Sequence, residues 1–278
     1  MRTTDESTPW VENAPGARAR ARASTELWRA RELVGFFAVR DLKSRYKQAA
    51  LGAAWVLAQP LATVAAFTLV FDSLADIGSQ GIPYPLFALT GLITWTYFSS
   101  AVSRASSVLV GDSSLITKVY FPRIAAPIGA LLPPLVDLAV SMVLVLLFML
   151  YYGVSPSWRL LAVPVWLLLL VLTASGVGLW LSALNVRYRD VQHGIAPLLQ
   201  LWLFLSPVAY PSTLLSGWHQ LAFSLNPLTG VIGFGRWSLL GAPWPGWSLA
   251  VSLATVAILL AGGVRYFRRA ARVFADVI

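Results

Sequence analysis

Long uncharged stretches alternate with short charged segments along this 278-residue chain. The first stretch, Ala49–Phe71, is long enough to cross a bilayer core of roughly 30 Å at about 1.5 Å per residue. Five more of similar length follow, and the third is interrupted only by Asp137. The pattern predicts an all-α integral membrane protein with six transmembrane helices. The six stretches are Ala49–Phe71, Ile82–Ser103, Ile124–Gly153, Leu160–Val186, Gly194–Trp218 and Trp237–Val264.

A shorter apolar segment, Leu221–Gly235, lies between the last two stretches and contains Pro227 and three glycines. Its length is too small for a spanning helix, which needs about 17 residues or more. We therefore expect short re-entrant or gate helices between transmembrane helices 5 and 6.

The charged segments divide the rest of the chain. We expect a disordered cytoplasmic tail over residues 1–23, because this segment is polar and contains Pro9, Pro15 and Gly16. Residues 24–48 predict an amphipathic helix, with Ser24 as a possible N-cap. This helix either lies in the membrane interface or is a solvated helix beside the first span. The six-helix domain then covers residues 49–268, and residues 269–278 form a cytoplasmic C-terminus.

Lysine and arginine positions predict the orientation. With the N-terminus inside, all 21 basic residues except Arg159 and Arg236 fall on the cytoplasmic side. This distribution follows the positive-inside rule and predicts a multi-pass plasma-membrane protein with both termini in the cytoplasm. It also accounts for the net charge of +9, so a nucleic-acid partner is not required.

The sequence lacks the motifs of an enzyme. It has no cysteine, no GxxxxGK[ST] nucleotide-binding loop and no HExxH or GxSxG motif. Its two histidines, His193 and His219, lie on opposite sides of the membrane in the predicted topology. We therefore expect no catalytic residue, no metal site and no ATPase activity in this chain.

Asp137 is the acidic residue that lies well inside an apolar stretch. An ionised carboxylate at the centre of a bilayer costs about 2.5–3.5 kcal/mol on insertion scales. Two readings remain open. The third helix starts near Pro134, which leaves Asp137 close to the inner interface or in a subunit contact, or Asp137 couples transport to an ion.

Two cytoplasmic segments combine apolar and charged residues. The first, GDSSLITKVYFPR, predicts a short helix that Asp112, Ser113 or Ser114 caps and Pro122 ends. The second is LNVRYRDVQHG. Both fit docking onto a soluble partner, and both also fit ordinary connecting loops with positive-inside charge.

Several segments resemble the permeases of ABC-2 type polysaccharide exporters, the family that exports O-antigen, teichoic acid and galactan. The resemblance covers about residues 30–278 and rests on six motifs in the same order. They are DLKSRYKQAALGAAWVLAQPL, LITKVYFPR, LNVRYRDV, SPVAYP, NPLTGVIGFGRW and the terminal FADVI.

The resemblance implies the membrane half of an ATP-driven exporter that moves a lipid-linked polysaccharide outwards. It implies two copies of this chain and two copies of a separate ATP-binding cassette subunit, which binds ATP and Mg. The residues that it implies for ATPase coupling are Leu115, Lys118, Tyr120, Arg123, Arg187, Tyr188, Arg189 and Asp190.

The resemblance also suggests residues that contact the substrate. Arg40, Lys43, Arg45 and Lys47 would attract anionic head groups, including a lipid diphosphate, or would simply anchor the helix to membrane lipids. Aromatic side chains are expected to line the channel, because a sugar ring stacks on an aromatic face, although such residues also favour membrane interfaces. The candidates are Trp95, Tyr97, Phe98, Trp202, Phe204 and Tyr210.

Other functions share parts of this pattern. An ABC-2 permease for drugs or small lipids has the same six-span plan, and an ion-coupled carrier would work without an ATPase and would need Asp137. A membrane-bound glycan enzyme fits poorly, because the sequence offers no catalytic groups. The sequence does not identify the glycan.

Overall fold

A computed structural model describes residues 31–46, 52–74, 78–111, 122–188, 190–214, 217–272 and 274. All regular structure in these ranges is helical, which confirms the all-α prediction. The helices are α1 (Arg31–Tyr46), α2 (Gly52–Phe67, continued by a π-helix Thr68–Leu74), α3 (Tyr84–Gly111), α4 (Ala125–Gly129), α5 (Pro133–Tyr152), α6 (Val163–Arg187, preceded by a 3-10 turn Trp158–Ala162), α7 (Val191–Phe204), α8 (Trp218–Ser224), α9 (Pro227–Leu240) and α10 (Trp247–Ala270).

Five helical segments within the described residues are long and apolar enough to cross a membrane. They match five of the predicted stretches, the exception being the fifth, Gly194–Trp218. In that stretch α7 ends at Phe204 and extends only about 21 Å at 1.5 Å per residue. The count of six spans therefore stays a prediction. The five segments are Leu57–Leu74, Tyr84–Gly111, Ala125–Tyr152, Trp158–Arg187 and Trp247–Ala270.

The last predicted stretch starts later in the structure than the sequence pattern indicates. Helix α9 runs through Trp237 to Leu240, and Gly241 ends it in the left-handed conformation with φ 71°. Helix α10 then begins at Trp247. Trp237 therefore belongs to the pair of short helices, α8 and α9, and the last span begins ten residues further on. Hydrophobicity alone did not reveal this break, because both sides of it are apolar.

The third stretch is also divided. A turn at residues 130–132 separates the short helix α4 from α5, which begins at Pro133 and Pro134. Proline is well placed in the first turn of a helix, where its missing N–H would have no partner. Asp137 consequently lies in the second turn of α5, as the reading with a helix start near Pro134 expects.

Helix α3 is the centre of the bundle and packs against α2, α5 and α6. Its side chains are buried along most of its length, and Phe98 and Ala101 are fully enclosed. Small residues let the neighbouring helices approach closely. A Cβ on Gly178 of α6 would lie 2.9 Å from the Ala105 Cβ, and a Cβ on Gly263 of α10 would lie 2.7 Å from the Gly176 carbonyl oxygen of α6.

One end of the bundle has its own apolar cluster, which we call the basal cluster. It joins α1, the ends of α3, α6 and α10, and the segment before α4. Because the predicted orientation puts these helix ends in the cytoplasm, we call this the basal end. The buried residues of the basal cluster are Phe37, Leu109, Ile124, Ala126, Leu179, Ala183, Val186, Phe267 and Phe274.

Candidate functional site

Both predicted coupling segments connect to the basal end. The first leaves α3 at Gly111 and returns at Pro122, and the second follows α6 at Arg187. Leu109 and Ile124, which flank the first segment, pack in the same cluster as Val186, which lies in the second. Packing of α3 on α6 therefore brings the described ends of the two segments to the same end of the bundle. Leu115, Lys118 and Tyr120 of the first segment lie outside the described residues, as does Arg189 of the second.

Arg123 is partly buried and contacts the chain's own C-terminal part. Its guanidinium donates a hydrogen bond to the carbonyl of Ala271, just past the end of α10. The guanidinium carbon also lies 6.0 Å from the centre of the Phe274 ring, within cation–π range. The return of the first coupling segment is thereby tied to the end of the last helix. Contact of Arg123 with an ATPase stays a prediction.

Three candidate coupling residues of the second segment face outwards. Arg187, Tyr188 and Asp190 are all exposed, and Tyr188 keeps 51% of its surface. The Arg187 guanidinium lies 5.3 Å from the centre of the Tyr188 ring. This exposed aromatic–arginine pair is a combination that is enriched in protein interfaces. Its role in coupling is not tested by the fold and remains a prediction.

Helix α1 lies against the bundle and not apart from it. Phe37 and Ala38 are buried, whereas Phe36 on the other side of the helix is 62% exposed. A Cβ on Gly129 of α4 would lie 3.1 Å from the Phe37 Cβ, so this glycine permits the close approach of α1 to α4. The exposed Phe36 fits an apolar face toward lipid, and the interfacial placement of α1 remains a prediction.

An ion pair joins α1 to α3. The Arg104 guanidinium of α3 donates to the Asp41 carboxylate of α1 at 2.5 Å, and both side chains are about one-third exposed. Arg40 precedes Asp41, and its guanidinium lies 5.3 Å from the centre of the Phe37 ring. The sequence reading missed Arg104 and Asp41, because their pairing depends on tertiary contact. The sequence offered one sign of this contact: Arg104 is a basic residue that directly follows the predicted end of the second span.

These residues line a cavity of about 340 Å³, which we call the basal cleft. Lys43 is exposed on α1, Arg45 lies on α1 with its side chain outside the described part, and Lys47 is outside the described residues. Among its described lining residues, two arginines outnumber the one carboxylate, Asp41, and neutral hydrogen-bonding groups complete the polar wall. Principal lining residues of the basal cleft are Phe37, Arg40, Asp41, Arg104, Ser107 and Gln192.

The six candidate channel aromatics are placed differently from one another. Tyr97 and Phe98 are buried in the chain's own core, and Trp95 is 6% exposed. Trp202 packs edge-on against Phe98, with ring centres 5.2 Å apart. Phe204 at the end of α7 is 63% exposed.

Tyr210, the sixth aromatic, is partly buried and donates from its hydroxyl to the Phe204 carbonyl at 2.7 Å. Of the six, Phe204 therefore offers the largest surface to a solute outside the chain. The channel role of all six stays a prediction.

The pair of short helices is attached to the bundle by polar contacts that the sequence did not reveal. Asn226 caps α9 by accepting from the Leu228 N–H at 3.0 Å. Its amide nitrogen donates to the Leu205 carbonyl at 3.0 Å, and its amide oxygen accepts from the Trp202 indole at 3.1 Å. Ser252 of α10 accepts from the Gly230 N–H at 2.9 Å. The start of α9 is thereby fixed to α7 and to α10.

Arg236 makes a third attachment. It was predicted to lie on the outer side of the membrane, and the structure buries it, with 4% of its surface exposed. Its guanidinium donates to the carbonyls of Phe87, Pro207 and Val208 at 3.3, 2.9 and 2.6 Å. These bonds join α9 to the start of α3 and to the turn after α7.

A helical bundle of this length and hydropathy defines a multi-pass membrane protein. The chain belongs to the ABC-2 type transporter family, whose model matches residues 32–240, from α1 to the end of α9. The resemblance drawn from the sequence motifs is therefore confirmed at the level of the family.

Relatives within this family carry informative names. The chain is 31% identical over 210 residues to the O-antigen export system permease protein RfbA of Myxococcus xanthus, which covers 74% of this chain and 80% of that protein. It is 25% identical over 240 residues to a protein of the same name from Klebsiella pneumoniae, covering 86% and 92%. It is also 26% identical over 202 residues to the polysialic acid transport protein KpsM of Escherichia coli, covering 71% and 77%.

Proposed function

We propose that this chain is the permease half of an ATP-driven exporter that moves a lipid-linked polysaccharide across the plasma membrane. The observation that carries the proposal is its similarity to O-antigen export permeases along 80–92% of their length. A second copy of the chain would complete the pathway. Two copies of a separate ATP-binding cassette subunit would bind ATP and Mg and drive transport from the cytoplasmic to the outer side.

The basal end is where the ATP-binding subunit would dock. Both coupling segments start and end there, and Arg187 and Tyr188 present an exposed surface beside them. The packing of α3, α6 and α10 around the basal cluster gives this surface a rigid base. A movement of the ATP-binding subunit would therefore be transmitted to three long helices at the same time.

The basal cleft is where an anionic head group would enter. Arg40 and Arg104 approach the cleft from α1 and α3, and Ser107 and Gln192 add neutral hydrogen-bonding groups. A diphosphate carries several oxygens that accept such bonds, and arginine binds phosphate in a two-pronged geometry. Competition between a diphosphate and Asp41 for Arg104 would loosen α1 from α3 when substrate arrives.

The test begins with deletion of the gene and detection of glycan at the cell surface. Wild-type chain should restore surface glycan and should copurify with the ATP-binding subunit encoded beside it. Tyr188→Ala should reduce copurification or uncouple ATP hydrolysis. Tyr151→Ala is a matched control, because Tyr151 is 82% exposed on α5 at the far end of that helix.

Two results would contradict the proposal. Unchanged surface glycan in the deletion strain would exclude export of that glycan by this chain. If no ATP-binding subunit binds and Asp137→Asn alone abolishes transport, an ion-coupled carrier explains the protein better. Export of a small lipid or drug without any effect on surface glycan would instead favour an ABC-2 permease for drugs or small lipids.

A further inference from the structure

A buried amide joins two long helices at the basal end. Asn185 lies near the end of α6 with 1% of its surface exposed, and its amide nitrogen donates to the Ser106 carbonyl of α3 at 2.9 Å. Ser106 lies shortly before Gly111, where α3 ends and the first coupling segment begins. Asn185 lies in the second coupling segment, just before Arg187. The bond therefore connects the two helix ends from which the coupling segments continue.

The other polar atom of this amide is unpaired. The Asn185 amide oxygen is buried and has no hydrogen-bond partner among the residues that the structure describes. The opposite orientation of the amide would set this oxygen against the Ser106 carbonyl oxygen, so the observed orientation is the favourable one. An unpaired buried polar atom costs more free energy than one hydrogen bond contributes. We therefore expect Asn185 to add little to folding stability, or to reduce it.

The acceptor does not depend on Asn185 for its own pairing. Ser106 lies inside α3, where the Val110 N–H supplies the helical hydrogen bond to the Ser106 carbonyl. A carbonyl oxygen has two lone pairs, and the amide of Asn185 uses the second. Leucine at position 185 has the same branched shape as asparagine. It would remove the unpaired oxygen and would leave no carbonyl of α3 without a bond.

Small residues surround the amide where α6 faces α3. A Cβ on Gly178 would lie 2.9 Å from the Ala105 Cβ, so this face of α6 packs closely on α3. Ser182 and Asn185 follow Gly178 at helical spacing on the same face. Ser182 is fully buried, and its hydroxyl has no partner in the described part of the chain. Such small side chains bring two helices together without interlocking them.

The position of α6 along α3 consequently depends on the amide. Within the described residues, the bond from Asn185 to Ser106 is the one side-chain hydrogen bond between these two helices. A polar contact is directional, whereas contacts between small apolar groups permit sliding. Asn185 therefore serves the relative position of the two helix ends more than it serves stability.

We propose that Asn185 is a positioning residue that keeps the two coupling segments in register. Its amide holds the end of α6 against the end of α3, so a movement of the ATP-binding subunit displaces both segments together. This inference rests on the proposed function. It adds the residue through which the two coupling segments act as one unit.

A variant and a matched control separate positioning from stability. Asn185→Leu removes the bond to α3 and the unpaired oxygen. Ser182→Ala removes an equally buried, unpaired hydroxyl and leaves the bond intact. Each chain is purified with the ATP-binding subunit encoded beside it, and both complexes should unfold at or above the wild-type temperature. We expect only Asn185→Leu to lower surface glycan relative to the ATPase rate, by about fivefold, because one hydrogen bond changes an equilibrium by about that factor.

Two results of this comparison would overturn the proposal. A lower unfolding temperature for Asn185→Leu with an unchanged ratio of surface glycan to ATP hydrolysis would indicate a purely structural role. An equal loss of that ratio in Ser182→Ala would show that buried polar groups in general, and not the bond to Ser106, matter for coupling. Asn185→Ala, with its smaller side chain, repeats the comparison if leucine prevents assembly.

Spin labels give a second measurement that needs only the chain itself. The sequence has no cysteine, so Gly111→Cys and His193→Cys place one label beside each coupling segment. Both positions are exposed, and nothing lies within 4 Å of a Cβ at Gly111. In lipid nanodiscs, with labelled chain diluted by unlabelled chain, Asn185→Leu should broaden the distribution of distances between the labels. Ser182→Ala should not, and equal widths in all three proteins would overturn the proposal.

The outcomes separate this inference from the proposed function. If the deletion strain loses surface glycan and wild type restores it, the exporter function stands. A wild-type ratio of glycan to ATP hydrolysis in Asn185→Leu would then overturn the role of Asn185 alone. If the wild-type chain does not restore glycan, the exporter function fails, and the spin-label distances still decide whether Asn185 holds the two segments in register.

Discussion

The guanidinium carbon of Arg236 lies 3.4 Å from the centre of the Phe87 ring, and its Nε donates to the carbonyl of the same residue at 3.3 Å. One residue of α3 therefore receives both a cation–π contact and a hydrogen bond from α9. The Tyr84 hydroxyl, one turn earlier, donates to the Ala209 carbonyl at 2.7 Å. The start of α3 is thereby joined to the turn after α7 and to the short helix α9, which makes this corner a single unit.

Loss of Arg236 should loosen that unit. Arg236→Met keeps much of the buried volume but removes all three bonds to carbonyls that stay buried. Removal of one side of a buried polar network costs about 3 kcal/mol or more. We expect a clear drop in the thermal unfolding temperature of the purified protein in detergent, and impaired export. Arg236→Lys should rescue only in part, because a lysine ammonium cannot match the planar fork of arginine.

Arg159 provides the control for this variant. It also donates to two carbonyls, those of Gly241 and Ala242 at 2.7 and 3.3 Å, and lies 5.5 Å from the centre of the Trp237 ring. It is only partly buried, so water can replace these bonds after substitution. Arg159→Met should therefore lower the unfolding temperature much less. Equal decreases in unfolding temperature for the two variants would show that burial does not make the hydrogen bonds of Arg236 more important for stability.

Gly91 makes room for this arrangement. A Cβ at this position would lie 2.6 Å from the Val208 carbonyl oxygen and 2.7 Å from the Nη2 of Arg236. Gly91→Ala should therefore displace the turn after α7 and destabilise the protein by roughly 1–3 kcal/mol. Differential scanning fluorimetry would measure the change. Gly194→Ala in α7, where nothing lies within 4 Å, should have little effect or should stabilise the helix slightly.

The ion pair between Asp41 and Arg104 leads to a prediction about the stability and the ATPase rate of single and double variants. Both side chains are partly exposed, so the pair contributes about 1 kcal/mol or less to stability. Asp41→Asn should therefore unfold at nearly the same temperature as wild type. Its effect should appear in function, because α1 loses its ion pair to α3 and is held there by apolar contacts alone, and the basal ATPase rate of the complex should change.

A charge exchange checks that interpretation. Asp41→Arg combined with Arg104→Asp restores an ion pair at the same place and keeps an arginine at the basal cleft. We expect this double variant to recover the wild-type ATPase rate more fully than either single variant. If the single and double variants behave alike, the ion pair does not control the position of α1.

Sequence patterns predicted the long helices well and the short ones poorly. Runs such as Ala49–Phe71 need only their length and lack of charge to be recognised, and most of them match spans in the structure. The break between Leu240 and Trp247 was missed because both flanks are apolar and aromatic, so hydrophobicity gives no boundary there. Gly241 and Gly246, both with positive φ, were the local signals for that turn.

At the candidate site, too, the sequence predicted some features and missed others. Arginines near the membrane surface were recognised from charge, but the pairing of Arg104 with Asp41 spans 63 positions and depends on the packing of α1 on the bundle. Charge counting placed Arg236 on the outer side, and this stays a prediction; its burial was not foreseen, because a single arginine carries no sign of the three carbonyls that surround it. Contacts between distant segments thus account for what the sequence did not reveal.

The orientation of the chain can be tested with single cysteines, because the sequence contains none. Ser155, in the loop between α5 and α6, is exposed and predicted to lie outside, whereas His193 near the start of α7 is exposed and predicted to lie inside. A membrane-impermeant maleimide should label Ser155→Cys in intact cells. It should label His193→Cys only after the membrane is permeabilised. Labelling of His193→Cys in intact cells would reverse the predicted topology and would place the basal cleft on the wrong side for a cytoplasmic substrate.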